Sequence, residues 1–75
     1  MSFEVRTTDD LVRIAHAGGG LVVDAAARPT DDLVRIANAA KTKRARIVLR
    51  GMAARATDDL VRIGHAGDGC VSFEA

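Results

Sequence analysis

A chain of 75 residues is one small domain, and a domain of this size buries only about 60% of the surface its unfolded form exposes, so repetition or self-association is expected to supply part of its stability. Its apolar inventory is mostly Ala, Val, Leu and Ile, with Phe3 and Phe73 the only aromatics, and no apolar run reaches the ~20 residues that span a bilayer. A formal charge of +1 gives no global bias toward nucleic acid or membrane surfaces, and the single cysteine, Cys70, excludes an internal disulfide framework.

One octapeptide, Thr-Asp-Asp-Leu-Val-Arg-Ile-(Ala/Gly), occurs at 8–15, 30–37 and 57–64, with starts 22 and 27 residues apart. Periods of that length belong to stacked supersecondary units. Seven consecutive residues are identical in all three copies while the intervening loops differ freely, which points to recent duplication or deliberate design.

In chain order, Phe3 and Val5 alternate with Ser2, Glu4 and Arg6, the period of a strand. Thr8 is then expected to cap a helix whose first turn holds Asp9 and Asp10 at the positive end of the helix dipole. At 100° per residue Leu11, Ile14 and Ala15 share a face, with Val12 at its margin and Arg13 pointing away. Gly18 should stop this helix in the left-handed conformation. Leu21, Val23 and Ala25 alternate with Val22 and Asp24 as a second strand. The second helix, capped by Thr30, repeats the stripe with Leu33, Ile36 and Ala37 and can run to about Lys41. Ile47 and Leu49 alternate with Arg46, Val48 and Arg50 as a third strand. The third helix starts at Thr57, presents Leu60, Ile63 and Gly64, and stops at Gly67; Val71 and Phe73, alternating with Ser72 and Glu74, make a fourth strand.

Strands separated by single helices form right-handed crossovers with parallel strands. Each strand carries polar side chains on one face, so all three helices are expected to cover the other, which requires the strand order 1-2-3-4. The expected fold is α/β: a single two-layer β/α repeat domain over 1–75, with four mostly parallel strands and three helices on one face. Leucine-rich-repeat solenoids share the unit length and the strand-then-helix order, but their leucine spacing and asparagine position are absent here, so the likeness is one of architecture alone.

Few residues suggest chemistry. Gly18-Gly19-Gly20 follows a helix and opens a strand, the reverse of a phosphate loop. His16 and His65 hold equivalent places on the first and third helices, two helix widths apart, too far to share a metal, and are read as last-turn cations at negative helix ends. Cys70 lies near His65 and Asp68 but begins a strand, whereas sites in open parallel sheets gather at strand carboxyl ends; it is read as a partly exposed thiol. No base, nucleophile and orienting group converge, so no catalytic residue, cofactor or metal is assigned and the chain is read as non-enzymatic. The one asymmetric feature is Lys41, Lys43, Arg44, Arg46 and Arg50, five cations in ten residues without an acid. They are the candidate anion-binding set, a weak site for phosphate or nucleic acid, although no aromatic lies near to stack on a base and Asp24, Glu4, Ser72 and Glu74 lie on flanking strands where they are able to pair with the arginines. Arg13, Arg35 and Arg62 each follow an aspartate by four residues, a spacing that neutralises the row within each helix.

The remaining expectation is a scaffold that self-associates. Strand edges are templates for pairing unless blocked, and the first and fourth strands carry neither proline nor lysine. Phe3, Val71 and Phe73 are the candidate association residues, with a closed two-fold dimer favoured over a head-to-tail contact that risks fibres. Proline at Ser72 is expected to remove an edge donor. The N-terminus has no basic start followed by an apolar run, so the cytoplasm is the expected location.

Overall fold

The computed structural model describes residues 6–75. The first expected strand, with the candidate residue Phe3, lies outside the described residues apart from Arg6, which sits in a bend. Three helices alternate with three strands: α1 (Thr8–His16), β1 (Leu21–Asp24), α2 (Thr30–Ala40), β2 (Ile47–Arg50), α3 (Thr57–Gly67) and β3 (Val71–Phe73). All strand pairs are parallel, in the order β1-β2-β3, with Leu21 opposite Ile47 and Ile47 opposite Val71. Among the described residues the fold is therefore mixed α/β with a three-strand parallel sheet, whose strands stand where the second, third and fourth were expected.

The strand alternation decides which side chains enter the core. Leu21, Val23, Ile47 and Leu49 are buried, in one cluster with Leu11, Leu33, Ile36 and Ile63 from the helices. The alternate positions Val22, Asp24, Arg46 and Arg50 are exposed. α1 packs on α2 and α2 on α3. Among the described residues the core contains no charged or polar side chain, so its stability rests on apolar burial, at about 25 cal/mol per Å².

The helix starts differ from expectation. Thr8, Thr30 and Thr57 are the first helical residues, and the capping positions are Thr7, Pro29 and Ala56. Thr7 is the only one of these with a hydroxyl, and it accepts the Asp10 amide at 3.1 Å. Pro29 and Ala56 offer no side-chain acceptor, which leaves the acidic pairs to complement the exposed amides of α2 and α3. The stops also differ in part. Gly18 takes the positive φ expected of it, at 98°. Gly67 instead remains helical, and the left-handed residue is Asp68, with φ of 48°. A Cβ on Gly67 would lie 2.5 Å from Val71 Cγ2, so this glycine is required by the close approach of α3 to β3.

Candidate association site

The joints between repeats show how this chain recognises its own surface. At the first joint, Arg28 Nη1 donates to Thr8 Oγ1 at 2.9 Å and Arg28 Nη2 to the Arg6 carbonyl at 2.6 Å, while Thr8 Oγ1 donates to Asp32 Oδ2 at 3.1 Å. At the second, Arg55 Nη1 donates to Thr30 Oγ1 at 2.8 Å and Nη2 to the carbonyls of Ala25, at 2.8 Å, and Arg28. Each arginine stands two residues before the threonine of its own octapeptide and reaches back to the threonine of the preceding one. A partly buried threonine hydroxyl thus joins the repeats at Thr8 and Thr30, a use other than capping for the same residue.

A second set of contacts runs across the exposed side of the helices. Arg35 Nη2 meets Asp9 Oδ1 at 2.6 Å, and Arg62 Nη2 meets Asp31 Oδ1 at 2.9 Å. The hydrogen bond from Arg35 to Asp9 and the charge of that carboxylate, with a smaller contribution from Asp32, raise the guanidinium above its ordinary value. For Arg35 and Arg62 the pairing expected within each helix, four residues apart, is replaced by pairing between helices. A charged pair on the surface adds little to stability, but its geometry fixes the register of one helix on the next.

The sheet ends at β3. Ile47 N donates to the Cys70 carbonyl and Glu74 N to the Leu49 carbonyl, at 2.9 and 2.8 Å. In a parallel ladder alternate residues bond the same neighbour, so Cys70, Ser72 and Glu74 face β2 and Val71 and Phe73 turn their N–H and C=O groups outward. Proline at Ser72 would therefore break the sheet from within and leave the edge untouched. Phe73 is 38% exposed and Val71 half-buried, in contrast to Leu49 and Ile47 beside them, which are wholly buried. The two candidate association residues within the described region thus share one edge.

Two of the five candidate cations have acidic partners. Arg44 lies 3.8 Å from Asp68 Oδ2 and donates to its carbonyl at 3.2 Å, and Arg50 meets Glu74 Oε1 at 3.4 Å. Lys41, Lys43 and Arg46 are exposed, the lysines in the turn after α2 and Arg46 at the start of β2. Arg44, Arg46, Gly69 and Cys70 line a hollow of about 150 Å³. His16 and His65 are both exposed. Cys70 is 7% exposed, buried where a partly exposed thiol was expected. Among the described residues no three His, Cys, Asp or Glu side chains come together in a way that could hold a metal ion, and no helix is long and apolar enough to cross a membrane.

The residues missed by sequence reading are Arg28 and Arg55. Their signal was present: Arg6, Arg28 and Arg55 recur two positions before each repeated threonine. Comparison of the chain with protein-family models, with curated proteins and with solved structures gave no match.

Proposed function

We propose that this chain is a non-enzymatic, two-layer β/α repeat module whose role is self-association, and that it associates by extending its sheet and helices across a copy boundary. The observation that carries the reading is the unfinished α3–β3 side. Leu11 and Leu33 are wholly buried, whereas their equivalent Leu60 is only partly covered, and Val61 is 50% exposed where Val12 and Val34 are partly covered. An outward row of N–H and C=O groups at Val71 and Phe73 continues the same side in the sheet. In this reading the repeated unit is a helix followed by a strand.

The test is light scattering on the full chain and on a Phe73→Pro variant across micromolar to millimolar concentrations. Proline at 73 deletes an outward donor while leaving the bonds to β2 in place. The parent should gain mass with concentration and the variant should remain monomeric. Equal association of both would remove β3 from the interface.

A further inference from the structure

We propose that the association is head to tail: α3 of one copy docks on α1 of a second copy of this chain, through the contacts that join its own repeats. The proposal rests on the self-association reading and adds its direction and its residues.

The middle repeat shows what a complete set of contacts is. Thr30 accepts from Arg55, Asp31 accepts from Arg62, and Arg35 donates to Asp9. α1 uses only its accepting half, with Thr8 and Asp9 engaged by Arg28 and Arg35. Its donors, Arg6 and Arg13, are exposed and make no side-chain bond among the described residues. α3 uses only its donating half, Arg62, while Thr57 and Asp58 are exposed with no side-chain partner among the described residues. One flank therefore presents donors and the other presents the acceptors that match them. Repeating the first joint across two copies sets Arg6 on Thr57, Thr57 on Asp10 and Arg13 on Asp58, as Arg28, Thr8, Asp32, Arg35 and Asp9 are set within one copy.

The apolar positions follow the same division. Ile36 and Ile63 are wholly buried and Ile14 only partly, because Ile14 has no preceding helix over it. Leu60 and Val61 lack a following one. Ile14 lines an open hollow of about 350 Å³ with Arg6, Asp10, Arg13 and Ala17, and Val61 lines one of about 340 Å³ with Gly64 and His65. A two-fold contact matches these groups less completely. Joining two α1 flanks offers Arg6 and Arg13 only Asp10 as a side-chain acceptor among the residues lining that hollow, and joining two α3 flanks sets Thr57 and Asp58 on a flank without the arginines that match them. A head-to-tail contact is heterologous, so it builds a ring where the rotation closes and a filament where it does not. The same step carries the outward edge of β3 to the sheet edge on the α1 side of the next copy.

Two single variants of the full chain test the direction. Arg13→Glu spoils only the α1 flank and Val61→Glu only the α3 flank; both positions are exposed, and circular dichroism checks that each variant keeps the parent's helix content. With mass followed by sedimentation, the parent should grow beyond a dimer while each variant alone stays monomeric. An equimolar mixture should form a one-to-one dimer and stop there, since the two sound flanks meet and the two glutamates face each other. A variant that still dimerises alone would make the contact two-fold and overturn the proposal while leaving self-association standing, and a mixture that stays monomeric beside an associating parent would also overturn it. A parent that is monomeric throughout would remove self-association itself.

Discussion

At the scale of single residues, three identical threonines have three different surroundings, and their substitution should separate what identity of sequence conceals. Thr30→Ala removes the acceptor of Arg55 Nη1 and should destabilise by about 1–2 kcal/mol, at the lower end for a hydrogen bond to a charged group because the site is only partly buried. Thr57→Ala removes a hydroxyl with no partner among the described residues and should shift stability by less than about 0.5 kcal/mol. Thr7→Ala removes the one side-chain cap and should cost about 1 kcal/mol. Denaturation midpoints of the three variants give the ranking, and equal losses at Thr30 and Thr57 would mean that the contact with Arg55 contributes nothing. The threonine-aspartate pairs were legible in the sequence as helix starts to within one residue. Their pairing with arginines of the next repeat was not, because the local capping argument considers only the amides ahead of the threonine, whereas Arg28 and Arg55 arrive from 20 and 25 residues away.

At the scale of elements, the third helix departs from its siblings through two glycines with opposite roles. Gly64 takes the place of Ala15 and Ala37, and a Cβ built there meets nothing within 4 Å, so Gly64→Ala should stabilise the chain by up to about 1 kcal/mol through helix propensity alone. Gly67→Ala drives a methyl into Val71 and should destabilise by about 1–3 kcal/mol. Thermal unfolding of the two variants in opposite directions is the expected result. The helical stripes and the strands over 21–50 were readable because burial on one face imposes a period that the residues display directly. The inward-facing hydrogen bonds of Ser72 were not readable, since a period of two tells which face a side chain occupies but not which neighbour its amide meets. The buried state of Cys70 escaped because strand parity argues against it: with Val71 opposite Ile47, Cys70 lies level with the exposed Arg46, yet it is buried.

At the scale of the whole molecule, charge is arranged by direction and not by sign. The basic stretch that stands out in the sequence is divided in the fold: Arg44 and Arg50 are held by Asp68 and Glu74, leaving Lys41, Lys43 and Arg46 exposed. Titration with a short single-stranded oligonucleotide should accordingly show weak binding that falls steeply with salt, and tight binding that persists at high salt would reveal a specific nucleic-acid site. The cations that matter more to this account are Arg6 and Arg13, which stand opposite in the repeat to Thr57 and Asp58. The central claim, that the open side of β3 is completed by another copy, is tested most directly by amide hydrogen exchange at two protein concentrations. Ser72 N–H bonds β2 and should be protected at both. The outward amides of Val71 and Phe73 should exchange freely at low micromolar concentration and become protected near millimolar. If Val71 and Phe73 exchange at the same unprotected rate at both concentrations, no second copy pairs with this edge and the account is wrong.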